Sequence, residues 1–270
     1  MEVKNKMKRK IVFLDLDGTL FDVPRGLYEP TIKTRETISK LKKNGHLVFI
    51  CSGRCKCLLD DFIKSLDVSG FVLGNGTYCE MNNEVLFNDM FNEDIMDNMC
   101  EYIINHDGVP FCEGQEYIYV PDLNNSLFRL FVDSWHINDQ IFKDKKTENN
   151  FNMMMAAFKR EDDRRAFSLH FKNQADITNQ YGFISVDINR LGANKGNAIK
   201  RLLKHLDISY KDAYAFGDGL NDIEMMEAVY NSYAMDNACE RLKEVARFKA
   251  PDVLNDGFYK TMLKEKLVNE

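Results

Sequence analysis

The feature that most constrains this chain is the stretch KRKIVFLDLDGTLFD at residues 8–22. Four apolar residues, Ile11–Leu14, run directly into Asp15, and a second acid, Asp17, follows two positions later. A short apolar run bounded by turn residues is typical of a strand that is buried on both faces of a parallel sheet. The sequence therefore predicts a rigid, buried strand that presents two carboxylates at its end.

Composition excludes several classes of protein. The chain has 270 residues, of which 44% are hydrophobic and 29% charged, so it can bury one large core or two modest ones. Its net charge of -6 argues against a nucleic-acid backbone as the ligand. No apolar run approaches the roughly 20 residues of a membrane span, and only four apolar residues follow the basic N-terminus, fewer than a secretory signal needs. We therefore expect a cytoplasmic protein.

The seven cysteines are an odd number, and their spacing resembles no disulfide framework. Cys51, Cys55 and Cys57 form a cluster that could suggest zinc, but the simpler interpretation is a strand end followed by a helix start. The five histidines are scattered and show no spacing typical of a helical metal site.

Hydrophobic periodicity predicts a doubly wound α/β fold with a parallel, Rossmann-like sheet. The predicted strands are 10–15, 46–51, 70–73, 213–217 and 231–235. The predicted helices are 31–43, 55–66, 195–206, 221–229, 238–246 and 257–267.

The hydrophobic pattern changes in the residues between the predicted strand at 70–73 and the predicted helix at 195–206. Hairpins are predicted at 77–87 and 109–120, helices at 92–106, 125–136 and 161–172, and strands at 153–158 and 182–188. Hairpins mixed with helices indicate an α+β domain. We therefore predict a catalytic core at 1–82 and 188–270, interrupted by an inserted cap domain at 83–187.

Ligands of an open parallel sheet bind at the carboxyl ends of its strands. Polar residues are predicted there, and they fall into five groups: Asp15 with Asp17, Ser52-Gly53-Arg54, Gly74-Asn75-Gly76, Asn194-Lys195-Gly196 and Gly217-Asp218-Gly219-Leu220-Asn221-Asp222.

The four aspartates of these groups would repel one another unless cations offset their charge. Lys195 supplies one positive charge, and oxygen ligands favour Mg²⁺ as the other. A carboxylate whose charge is offset in this way can attack a phosphate and form an aspartyl-phosphate. The Ser52 hydroxyl and backbone N–H groups beside Gly18 and Gly53 could hold the phosphoryl oxygens. Asp17 could protonate the leaving alkoxide and then activate water.

These motifs resemble those of the haloacid dehalogenase (HAD) superfamily. D-x-D-G-T-L at 15–20, S-G-R at 52–54, N-K-G at 194–196 and G-D-x-x-N-D-x-x-M at 217–225 match its four motifs in order. The spacing resembles the Cof-type phosphatases, which carry an α/β cap between motifs two and three. Two departures are visible: Ser52 stands where Thr is commoner, and Asp236 where that group usually has glycine.

The resemblance implies a role for each residue. Asp15 would be the nucleophile and a Mg²⁺ ligand, and Asp17 the general acid/base, with its backbone carbonyl on the metal. Asp218 and Asp222 would complete the metal site. The implied phosphate or substrate contacts are Leu16, Ser52, Gly53, Arg54, Lys195 and Asn221.

The resemblance implies a Mg²⁺-dependent phosphatase acting on a small phosphorylated metabolite. The sequence does not identify the substrate: sugar phosphates, flavin mononucleotide, pyridoxal phosphate and nucleotides all stay open. A phosphomutase would keep both acids of the first motif. A receiver-like signalling module and a non-enzymatic phosphate-binding protein are the alternatives outside enzymes.

Overall fold

The computed structural model describes residues 8–135, 139–147, 150–180 and 182–270. These residues form two compact units. The first, called the core unit, contains the described residues up to Gly53 together with Asp60–Phe87 and Asn194–Glu270. The second, called the insert unit, contains Arg54–Leu59 and Asn88–Ala193. The predicted cap limits of 83–187 lie close to the longer insert segment, and the role of this unit as a cap stays a prediction.

The core unit is built on a mostly parallel sheet. Its strands are β1 (Ile11–Leu14), β2 (Leu47–Cys51), β3 (Gly70–Leu73), β4 (Tyr78–Met81), β5 (Glu84–Asn88), β12 (Ala213–Gly217), β13 (Asn231–Met235) and β14 (Phe248–Ala250). They lie in the order β14-β13-β12-β1-β2-β3-β4-β5. The six strands from β14 to β3 pair in parallel, and β4 is antiparallel to β3. The predicted α/β fold with a parallel sheet is confirmed.

Helices cover both faces of this sheet. They are α1 (Ile32–Lys43), α2 (Asp61–Lys64), α6 (Lys195–His205), α7 (Ile223–Ala228), α8 (Glu240–Val245) and α9 (Gly257–Lys264). Apolar residues of α6, α7 and α8 pack with β1 and β2 in one core cluster. On the other face Phe258 of α9 contacts the ring of Phe216 in β12. Because both faces are covered, strand β1 is completely buried.

One helix prediction is wrong. The stripe predicted as a single helix at 55–66 forms a 3₁₀ turn at Lys56–Leu58 and a short helix at Asp61–Lys64. Between them Leu59 is extended, with φ −79° and ψ 124°. Cys55 lies in the insert unit, where its thiol donates to the Glu113 carbonyl at 3.7 Å. Tertiary packing therefore outweighs the local helical periodicity.

The insert unit has an α+β architecture. Its strands are β6 (Val109–Gly114), β7 (Ile118–Tyr119), β8 (Phe142–Lys143), β9 (Phe151–Ala157), β10 (Ala175–Asn179) and β11 (Ser185–Arg190), in the order β10-β11-β9-β6-β7-β8. Its helices are α3 (Glu93–Asn105), α4 (Ser126–Trp135) and α5 (Glu161–Phe171). Helices α3 and α5 pack on one face of the sheet and α4 on the other. The sequence patterns missed β8, β10 and β14. None of the described helices is long and apolar enough to span a membrane.

Helices α6 and α7 pack closely at Gly196. A Cβ atom added at Gly196 would overlap the backbone carbonyl oxygen of Glu224. On an open helix, replacing glycine by alanine raises stability by roughly 1 kcal/mol. Here we expect Gly196→Ala instead to lower the free energy of unfolding by about 1–3 kcal/mol, as overpacking does.

Urea unfolding followed by circular dichroism checks this prediction. Lys200→Ala, at an exposed position of the same helix, is the matched control and should change stability little. A Gly196→Ala variant as stable as the control would contradict the close packing.

Candidate active site

Strands β1 and β12 bring the first and last acidic motifs together. They pair in parallel, with Leu14 opposite Phe216, so both strands end at the same edge of the sheet. The N–H of Asp15 extends the pairing by donating to the Phe216 carbonyl at 3.0 Å. Asp15 and Asp218 therefore leave neighbouring strands at nearly the same height.

Lys195 connects the carboxylates at the bottom of this site. Its side chain is 0% exposed, and its Nζ lies 2.6 Å from Asp15 Oδ1 and 2.7 Å from Asp222 Oδ1. The preceding residue, Asn194, caps helix α6 by accepting the N–H of Asn197 at 2.8 Å. The helix start therefore aims a buried ammonium group at two acids that are far apart in the sequence.

The loop after β12 is folded around the carboxylate of Asp222. Asp222 Oδ2 accepts the backbone N–H groups of Asp218 at 2.9 Å and Gly219 at 3.0 Å. A Cβ atom at Gly217 would lie 2.5 Å from this carboxylate, so only glycine fits there. One carboxylate oxygen of Asp222 thus contacts Lys195, and the other accepts hydrogen bonds from the backbone of the loop.

The loop after β1 lies directly against Asp218. The Thr19 hydroxyl donates to Asp218 Oδ1 at 3.0 Å. Gly18 has a positive φ of +81°, and a Cβ atom there would overlap the Asp218 carboxylate. Glycine is therefore required at position 18 by both the backbone conformation and the close approach.

One carboxylate oxygen from each of Asp15, Asp218 and Asp222 lies within 4.8 Å of the other two. Three acids against one lysine leave two uncompensated negative charges if all are ionised. Burial, and then Asp222, raise the pKa of Asp15 well above its usual value, against the opposing effect of Lys195. Burial and Asp222 also raise the pKa of Asp218 to about 7.

Burial disfavours the charged form of Lys195, but Asp15 and Asp222 outweigh it, so its pKa is raised and it keeps its proton. The three acids together carry more negative charge than Lys195 alone can offset. Clustered carboxylate oxygens are the donors that hard divalent cations such as Mg²⁺ prefer. The residues present therefore fit the predicted metal.

The strand-two motif lies at the same edge of the sheet. Ser52 is buried at the end of β2, and its N–H donates to the Val72 carbonyl at 2.9 Å. A Cβ atom at Gly53 would lie 3.0 Å from Asn75 Oδ1 and 3.6 Å from Asn221 Nδ2. Gly53 therefore lies beside two amide side chains. The predicted phosphate contacts of Ser52, Gly53 and Asn221 stay predictions.

The remaining predicted residues differ in their surroundings. Asp17 is exposed, so its carboxyl group is accessible to a ligand, and its role as general acid/base stays a prediction. The Leu16 side chain is fully buried, so only its backbone could contact a phosphate. Arg54 belongs to the insert unit, where its Nη1 donates to the Leu58 carbonyl at 3.4 Å. Its predicted contact with a phosphate or substrate stays a prediction.

Asp236 occupies the second position of a turn that the N–H of Ala238 closes on the Met235 carbonyl at 2.8 Å. It is exposed and does not have a positive φ. Aspartate therefore fits where the resembling family has glycine. The sequence patterns did not predict the hydrogen bond from Thr19 to Asp218, although Thr19 belongs to the first motif. A threonine after a glycine does not indicate a bond to a residue 199 positions away.

Comparisons with known proteins cover nearly the whole chain. A family model described as haloacid dehalogenase-like hydrolase matches residues 12–262. "Putative phosphatase YkrA" of Bacillus subtilis (strain 168) is 29% identical over 256 residues, which cover 93% of this chain and 95% of the relative. The HMP-PP phosphatase of Escherichia coli O6:H1 is 26% identical over 248 residues, which cover 87% of this chain and 86% of the relative.

Solved structures share the fold. A protein from Geobacillus kaustophilus HTA426 superposes with a TM-score of 0.87 at 26% identity, covering 97% of this chain and 100% of the other. The sugar phosphatase BT4131, described as HAD subclass IIB, superposes with a TM-score of 0.79 at 23% identity, covering 96% and 100%. The latter likeness concerns the fold alone.

The raised pKa of Asp218 predicts a stability gain on its removal. A carboxyl whose pKa is about 7 when folded and 3.8 when unfolded makes the metal-free fold less stable as the pH rises between these values. In EDTA at pH 8 we therefore expect Asp218→Asn to raise Tm by about 2–4 °C, equivalent to about 1 kcal/mol for a chain of this size.

Differential scanning fluorimetry from pH 4 to pH 8 measures this effect. The difference between variant and wild type should shrink towards pH 4, because Asp218 is then protonated in the folded state and partly protonated in the unfolded state. A variant that melts at or below the wild-type temperature at pH 8 would refute the destabilisation of the Asp218 carboxylate by burial and by Asp222.

Proposed function

The chain belongs to the haloacid dehalogenase-like hydrolases, and we propose that it is a Mg²⁺-dependent phosphatase acting on small phosphorylated metabolites through an aspartyl-phosphate on Asp15. The predicted family and the enzyme class, a phosphoric monoester hydrolase, are confirmed by the family match and by phosphatase relatives aligned over most of the chain.

The observation that carries the mechanistic proposal is the convergence of Asp15, Asp218 and Asp222 on the buried Lys195. We propose that the carboxylates of Asp15 and Asp218 and the backbone carbonyl of Asp17 would hold Mg²⁺. The Asp222 carboxylate would lie beside the ion. When bound, the ion supplies positive charge that offsets the repulsion between an anionic nucleophile and a phosphate dianion.

Two steps follow from these positions. In the first, a carboxylate oxygen of Asp15 bonds to phosphorus while the bond to the leaving alkoxide breaks, and Asp17 gives the alkoxide a proton. In the second, Asp17 takes a proton from water, whose oxygen bonds to phosphorus and releases Asp15 and inorganic phosphate. Lys195 stays charged throughout and stabilises negative charge beside Asp15.

The substrate class rests on the relatives. One relative is named for HMP-PP and one fold neighbour is named a sugar phosphatase. We propose that the substrate is a small phosphorylated metabolite, and the choice between a substrate like HMP-PP and a sugar phosphate stays open. The acidic net charge of -6 supports the exclusion of nucleic acid as a substrate. The cytoplasmic location stays a prediction.

Asp15→Asn removes the nucleophile while keeping the size of the side chain. We expect hydrolysis of p-nitrophenyl phosphate with Mg²⁺ to fall by at least about 10⁴-fold, because the covalent route is lost. Asp236→Asn is the matched control. Asp236 also directly follows a strand, β13, at this edge of the sheet, but its side chain is exposed. Retained turnover in Asp15→Asn would exclude Asp15 as the nucleophile.

Asp17→Asn removes the proposed proton donor. General acid–base catalysis contributes typically 10²–10⁴-fold, and its loss matters most for a leaving group that needs protonation. We therefore expect kcat/KM to fall by about 10²–10⁴-fold for an alkyl phosphate and by much less for p-nitrophenyl phosphate. Equal losses for the two substrates would exclude Asp17 as the acid.

EDTA should abolish hydrolysis by the wild type, and Mg²⁺ should restore it. Product analysis then separates the nearest alternative: a phosphatase releases one inorganic phosphate per substrate consumed, whereas a phosphomutase converts a sugar phosphate into an isomer. Isomer without free phosphate would replace the proposed reaction by the mutase.

A further inference from the structure

The turn that follows strand β13 is bonded to the loop that follows strand β1. Asn237, the third residue of this turn, donates from Nδ2 to the Gly18 carbonyl at 2.7 Å. Its Oδ1 accepts the backbone N–H of Val253 at 3.3 Å. One amide side chain therefore connects the loop after β1 to the segment that precedes α9.

The same turn also holds the loop after β12. Cys239, which directly follows the turn, donates its N–H to the Asp218 carbonyl at 3.0 Å. The two contacted carbonyls, of Gly18 and Asp218, belong to residues that are themselves in close contact. The Gly18 carbonyl belongs to the peptide that follows Asp17 by one residue. A shift of this peptide therefore changes the spacing between the loop that carries Asp17 and the loop that carries Asp218.

An amide suits this position because it provides a donor and an acceptor without charge. We propose that Asn237 is a positioning residue that holds the Gly18–Thr19 peptide, one residue after Asp17, against Asp218 and thereby determines the affinity of the acid site for a divalent cation. This inference rests on the Mg²⁺ site of the proposed function. Removing a residue that orients metal ligands typically lowers metal affinity or activity by 10–100-fold.

The chain offers a matched control in Asn231. This residue lies at the opposite end of β13, and its Nδ2 donates to the backbone carbonyls of Lys211 and Ala213, each at 3.0 Å. Asn231→Ala therefore also removes an amide that bonds to backbone carbonyls of the core unit, but far from the acid-bearing loops along the same strand.

The experiment compares Asn237→Ala, Asn237→Asp and Asn231→Ala with the wild type in the full chain. Isothermal titration with Mg²⁺ in the absence of substrate gives the dissociation constant, and circular dichroism verifies folding at the same temperature. We expect Asn237→Ala to bind Mg²⁺ about 10–100-fold more weakly than wild type. Asn231→Ala should bind Mg²⁺ as the wild type does, even where it loses a similar amount of thermal stability.

Asn237→Asp tests the bond to Gly18 separately. It keeps the acceptor for Val253 but loses the donor, and its added negative charge should by itself attract a cation. We therefore expect weaker Mg²⁺ binding than in the wild type, because the lost bond to Gly18 outweighs the added charge.

A dissociation constant for Asn237→Ala within twofold of that for Asn231→Ala would overturn the positioning role. A wild type that binds Mg²⁺ but releases no phosphate from phosphoesters would overturn the proposed function alone, since the affinities of the variants still decide the role of Asn237. A wild type without Mg²⁺ binding would overturn both.

Discussion

Lys195 lies between Asp15 and Asp222 with a fully buried side chain, and the rest of the site depends on this interaction. A buried ammonium group is tolerated only when it is paired, and here two carboxylates pair it. Asp218 adds a third carboxylate within 4.8 Å of the other two. The protein thus stabilises one cation and leaves negative charge for a second one to offset.

The parallel sheet holds these charges in place. Strand β1 lies between β12 and β2, so three motif-bearing strands end side by side. Gly18 and Gly217 leave space that the side chains of Asp218 and Asp222 occupy. A site held by strand ends and backbone hydrogen bonds needs little rearrangement when charge develops on a ligand, and this is the main physical advantage of such a scaffold.

The core of the fold could be predicted from sequence because its strands are short, continuous apolar runs. Asp15 and Asp218 directly follow two of these runs, and Lys195 begins a helix. The prediction of one helix at 55–66 was wrong, since the apolar stripe there serves two different units. Strand β10 is short, largely polar and recognisable only through its pairing with β11.

The contact of Asn237 with Gly18 could not be predicted either, because it joins residues 219 positions apart and depends on where two loops meet. Sequence patterns indicate which residues stand at the ends of elements. They do not indicate which backbone carbonyl a side chain at such an end will reach, because that distance is determined by tertiary packing.

The most direct test of the charge balance is the number of protons released when Mg²⁺ binds at pH 6.5. Because the pKa of Asp218 is raised to about 7, the metal-free site holds most of one proton at pH 6.5, and a divalent cation must displace it. Isothermal titration in two buffers of different ionisation enthalpy measures this number. The account predicts release of about one proton per Mg²⁺ bound; binding without proton release, or no binding at all, would contradict it.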